Sequence, residues 1–229
     1  MGVTPAADPA RSPTRLAAWL ALVVALSALN YVGRFAVEDR SSDRDFLYEW
    51  SSFVGGLVQF ALMLAIVLWL AVGSPARLLA LRRPPSWPRA AALIVGIFLV
   101  TIILARLLDP IFPAGEEQGL TPEGWDPTRA TPFLANAFVV AGLFPIVEEL
   151  VFRGVGFTFL ERFGQRVAIV GTAVAFGLVH GLLAGLPILI AFGLGLAWLR
   201  ARTGSTLPCI ALHSLFNAVA LIAAVTLGG

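Results

Sequence analysis

The chain has two histidines, and both stand in apolar surroundings. His180 closes the run Phe176-Gly177-Leu178-Val179-His180, and His213 opens His213-Ser214-Leu215-Phe216-Asn217. A third apolar stretch carries Glu148-Glu149-Leu150-Val151-Phe152-Arg153. An ionisable side chain at membrane depth costs roughly 2.5–3.5 kcal/mol on insertion scales and marks a functional interior. A carboxylate in a low-dielectric pocket is suited to act as a general base. A neighbouring histidine can orient the water that the carboxylate deprotonates. A second histidine and an asparagine amide can donate hydrogen bonds to the oxygen of a tetrahedral intermediate. Glu148, His180, His213 and Asn217 together therefore spell peptide hydrolysis without a covalent nucleophile. The same residue types allow a rival, a zinc site of Glu148, His180 and His213 with metal-bound water as nucleophile.

The spacings place these groups on shared faces. Glu149 and Arg153 are i,i+4 neighbours in the favourable acid-before-base order. His213 and Asn217 are also i,i+4, and Phe176 lies one turn before His180, where it can wall the ring. Glu148 precedes Arg162 by 14 residues and His180 follows Arg166 by 14. If both arginines mark one interface, each group lies about 21 Å along its helix at 1.5 Å per residue. Two antiparallel helices then bring them to one level. His213, 11 residues after Arg202, lies about 16 Å in by the same rise.

The elements that carry them must be membrane helices. Of 229 residues 58% are apolar and 13% charged, about half the charge of a soluble domain. Roughly 20 apolar residues span a bilayer core. Candidate spans run over 16–32, 53–72, 90–108, 132–163, 167–183, 186–199 and 207–227, an all-α bundle of about seven. The sixth is short and interrupted by Pro187, Gly193 and Gly195. The first, which follows Arg11 and Arg15, is long for a signal peptide and reads as a retained span. The single cysteine, Cys209, allows no internal disulfide and no cysteine metal cluster. The small net charge of +2 is no nucleic-acid footprint.

Arginine placement sets a topology, since every basic residue is Arg. The odd-numbered extramembrane segments hold 11 of the 16 basic residues, and the even-numbered ones hold 5 together with the acidic clusters around Glu38–Glu49 and Glu116–Asp126. The positive-inside rule then puts the N-terminus in the cytoplasm and the C-terminus outside. The chain divides into a tail (1–15), an N-terminal membrane region of three spans (16–131) and a membrane core of four (132–229) that carries the chemistry.

At those residues the chain resembles the CPBP family, the CAAX-protease and bacteriocin-processing group of intramembrane proteases that includes the type II CAAX prenyl endopeptidase. The family pattern EExxxR, FxxxH, HxxxN reads here as Glu148-Glu149-x-x-x-Arg153, Phe176-x-x-x-His180 and His213-x-x-x-Asn217. Gly154 and Thr203-Gly204-Ser205 also look like the family, and the likeness covers about 132–227. It implies a glutamate-dependent endopeptidase of glutamic type without an obligatory metal, acting on a membrane-associated peptide or protein. By that likeness Glu148 activates water with His180, His213 and Asn217 form the oxyanion site, and Glu149 and Arg153 hold the helix. Zinc remains the alternative cofactor. A non-catalytic immunity or peptide-binding protein is the rival from another class. A transporter with Glu148 as proton carrier is weakened by the missing inverted repeat.

Overall fold

The computed structural model describes residues 8–36, 46–114, 117 and 125–227. The acidic residues 38–45, 116 and 123 of the expected exterior segments lie outside the described residues. Among the described residues the chain is helical, with no strand. Seven helices carry the architecture: α1 (Pro13–Ala36), α2 (Trp50–Leu70), α3 (Trp87–Leu108), α4 (Pro127–Glu161), α5 (Gln165–Leu178), α6 (Leu186–Thr203) and α7 (Leu207–Leu227). All but α5 are long and apolar enough to cross a membrane.

The short member is thus the fifth, where the sequence pointed to the sixth. The apolar run of 167–183 is not one helix. It stops at Leu178 and turns through Gly181, whose φ is +65°, before α6 begins. Conversely α6 runs past Leu199 and takes in Arg200 and Arg202. Pro187 lies in its first turn, where a missing N–H costs nothing. Gly204 ends α6 in the left-handed region (φ +64°), its N–H bonding Arg200 O at 2.8 Å. That is the C-cap geometry that favours glycine.

Hydrogen bonds show which ends lie together. On one face, Arg15 reaches the carbonyls of Leu70 and Val72, Arg162 that of Arg11, and Arg82 that of Gly204. On the other, Asn30 and Tyr31 of α1 donate to the carbonyls of Val179 and Leu182, and Glu117 accepts from the amides of Leu183 and Gly185. The α5–α6 turn therefore reaches the level where α1 ends, so α5 completes a seventh pass despite its 14 residues.

One apolar cluster joins the two halves of the chain. Trp19 of α1 and Val67 of α2 pack with Phe152 of α4, Phe176 of α5, Leu196 of α6 and Leu212 of α7. Outward-facing side chains are also apolar: Leu29, Phe35, Leu62, Leu107 and Ile222 are each more than 60% exposed. So much bare hydrocarbon is foreign to a water-facing surface and suits contact with lipid.

Candidate active site

Helix α4 carries the acidic pair on a six-residue α-helical stretch, Phe144–Glu149, between two π-helical turns at Val139–Leu143 and Leu150–Gly156. Each extra residue in a wide turn rotates the rest of the helix by about 100°, and such turns gather at functional sites. The first has a visible cause. Phe144 N–H bonds Val139 O in the i→i+5 register. In that register the next donor, aimed at Val140 O, belongs to residue 145, which is proline and has no N–H. Asn217 Nδ2 fills the gap, donating to Val140 O at 2.9 Å.

Glu149 ties three helices together. Its Oε1 accepts from Arg153 Nη1 at 2.9 Å and from His213 Nδ1 at 2.9 Å, and Arg153 Nη2 donates to Gly193 O at 3.0 Å. Glu149 and Arg153 are fully buried and His213 nearly so. The expected i,i+4 pair is therefore present, but its carboxylate also holds a histidine 64 residues away, which no local spacing announces. Gly193 is small because α5 presses on it: a Cβ there would lie 3.0 Å from Ala173 Cα.

Glu148 points its carboxylate at the other nitrogen of the same ring. His213 Nε2 lies 3.8 Å from Glu148 Oε2, and that oxygen has no hydrogen-bond partner among the described residues although it is buried. The gap is too long for a direct hydrogen bond and is the kind that one water bridges. The Glu148 side chain remains about a quarter exposed, so the site is reachable. His180 sits half-buried beyond α5, with Nδ1 2.6 Å from Phe176 O. A carbonyl can only accept, so Nδ1 carries the proton and Nε2 offers a lone pair. Glu148, His213 and Arg153 all lie within electrostatic reach of His180.

Phe176 is the common wall. Its ring lies 4.6 Å from His180 and 5.5 Å from His213, with the Arg153 guanidinium over it at 4.6 Å. Phe192 of α6, absent from any motif, closes the far side of His213 at 5.6 Å and stacks on Phe216. The structure brings Glu148, Glu149, Arg153, Phe176, His180 and His213 into one cluster. It places Asn217 one turn along the His213 face, with one amide hydrogen committed to Val140.

Among the described residues no three His, Cys, Asp or Glu side chains stand together at metal-ligand spacing. His213 Nδ1 is engaged by Glu149, which leaves Nε2 as that ring's free donor.

Residues 130–219 match the family model of the Rce1-like proteins, described as type II CAAX prenyl endopeptidase Rce1-like. This part of the chain is similar to the Rce1-like proteins. The match runs from the start of α4 into α7 and takes in every residue of the cluster. Neither the curated proteins nor the solved structures contain a match to the chain. Six apolar helices together with the Rce1-like match support an integral, multi-pass membrane protein. The family implies a protease that is embedded in the membrane and acts on peptide substrates.

Proposed function

We propose that the chain is an intramembrane endopeptidase in which Glu148 deprotonates a water that attacks the scissile carbonyl. The observation that carries this reading is the buried, unpartnered Glu148 Oε2 facing His213 Nε2 across 3.8 Å, inside the Rce1-like region. The carboxylate takes the water proton as the oxygen bonds to carbon, and later delivers it to the leaving amine. His180 Nε2 accepts from the same water and holds it in line. The oxyanion forms opposite, where His213 Nε2–H and the second amide hydrogen of Asn217 donate to it. This role requires His213 to enter the reaction as the imidazolium, Nδ1–H bonded to Glu149 and Nε2–H free for the oxyanion, so no further proton moves to it during attack. A base and two donors are supplied by side chains alone, so the proposed reaction needs no metal. The proposed substrate is a peptide carrying a C-terminal CAAX sequence and a prenyl group, after the name of the matched family. In this reading the arginine-rich face that holds residues 8–15 is the cytoplasmic one, by the positive-inside rule.

The test is cleavage of quenched-fluorescence CAAX peptides, with and without a farnesyl group, by the purified protein in liposomes. Wild type should cleave and Glu148→Gln should lose about 10²–10⁴-fold in rate at unchanged thermal stability. Chelation should leave the wild-type rate within a factor of about two. Cleavage by Glu148→Gln at the wild-type rate sinks the mechanism. Loss on chelation that zinc alone restores replaces it with metal-assisted hydrolysis.

A further inference from the structure

Far along α4 from Glu148, on the face where Arg15 and Arg162 reach across to neighbouring backbone, five arginines surround a cavity of about 290 Å³. They are Arg11, Arg77, Arg82, Arg162 and Arg200, drawn from the start of the chain, the α2–α3 connection, the end of α4 and the end of α6. Among the described residues Glu161 is the one acid in the lining, and Asp8 pairs with Arg77 at 2.9 Å. Cationic charge still exceeds anionic by three. Like charges gathered in one lining repel, and an anion bound among them relieves that repulsion.

Arg200 defines the floor. It is 5% exposed, its guanidinium lies over the Phe157 ring, and its one hydrogen bond among the described residues runs from Nε to Arg153 O. Its two terminal amino groups have no acceptor among the described residues, and the residue lines the cavity. Arg82 and Arg162 use single nitrogens on the carbonyls of Gly204 and Arg11, and each keeps further N–H groups for a ligand. Forked N–H pairs match the oxygens of a phosphate. At about 30 Å³ per water molecule the cavity holds more than a bare phosphate, and it lies at the ends of membrane helices, where headgroups are.

We propose that this cavity binds the phosphate of an anionic phospholipid headgroup, with Arg200 beneath it and Arg77 and Arg162 at its rim. Basic pockets between helices at this level hold such headgroups by charge and by geometry. Lipid bound there pins the start of the chain to the ends of α4 and α6.

Binding is measured on the full-length protein in neutral detergent, by native mass spectrometry and by thermal shift, with no dependence on peptidase activity. The probes are phosphatidylglycerol, uncharged diacylglycerol and inorganic phosphate. Arg200 also braces the Arg153 backbone, so the variants are Arg77→Gln and Arg162→Gln, which alter exposed rim residues. Phosphatidylglycerol should bind and raise Tm, diacylglycerol should do neither, and each variant should weaken binding by about tenfold or more, the loss expected for a charge-assisted bond. Equal stabilisation by inorganic phosphate, lost in the same variants, keeps the phosphate site and assigns it to a free anion. Phosphatidylglycerol binding that both variants leave unchanged, or no binding by either anionic probe, overturns the proposal.

Discussion

Glu149 takes two donors on one oxygen in a space that water does not reach, so removing either partner leaves charge uncompensated. A buried pair broken on one side loses about 3–5 kcal/mol. Arg153→Gln is therefore expected to lower Tm in detergent sharply, and Glu149→Gln to do the same while also freeing the His213 ring. Differential scanning fluorimetry of the two variants checks this. An unchanged Tm with activity alone lost moves Arg153 out of the scaffold and into the reaction. Glu148 should behave oppositely: its oxygen holds up no other side chain, and its substitution should spare the fold. This division of labour between adjacent glutamates was half legible in the sequence. The i,i+4 spacing pointed to the Arg153 pair. The bond to His213 depends on how α7 packs against α4, which no local pattern encodes.

Asn217 and Pro145 belong to the helix scale. If the amide of Asn217 supplies the donor that Pro145 lacks, the two positions are energetically coupled. Asn217→Ala alone leaves Val140 O unpaired and should lower stability by roughly 1–3 kcal/mol. In a Pro145→Ala background a backbone N–H returns and the same change should cost less. A double-mutant cycle on Tm reads the coupling. Strict additivity removes the structural role and leaves Asn217 to catalysis alone. At the start of α4, Asp126 caps the chain, accepting from Thr128 N–H and hydroxyl and from Arg129 Nε. The Thr128 hydroxyl, then Arg129, hold its pKa down to about 2 from 3.8. A depressed acid stabilises the fold above its unfolded value, and that contribution fades as pH falls from about 4 through 2. The protection factor of the Thr128 amide should accordingly fall as pH drops through that window in wild type and be low throughout in Asp126→Ala; protection that is flat with pH removes the cap. The spans themselves were legible because apolar length is a local property. The π turns were not, although Pro145 inside an apolar helix was a signal that some carbonyl there would need another donor.

Across the whole molecule, the Rce1-like match begins at residue 130, yet the helix bearing Glu148 is braced from outside it. Trp19 of α1 is 1% exposed and donates from Nε1 to Val151 O at 3.0 Å, within the second π turn. In the same turn Gly154 packs on the backbone of Leu79. Both braces belong to the N-terminal half, so that half positions the acidic pair as well as anchoring the chain. Between membrane helices lipid is as apolar as the side chains, and packing and hydrogen bonds hold the position. Trp19→Phe keeps most of the ring and loses the bond, which should cost about 0.6–2 kcal/mol. Trp19→Ala also removes the packing and lets the π turn shift. A displacement of about 1 Å at the reacting groups can cost 10²-fold in rate, so Trp19→Ala should lower kcat far more than Trp19→Phe, with KM little changed. Both are measured in liposomes well below their Tm, so that unfolding does not contribute. A folded Trp19→Ala protein that cleaves at the wild-type rate shows that residues 130–219 place Glu148 without help, and that α1 serves only to hold the chain in the bilayer.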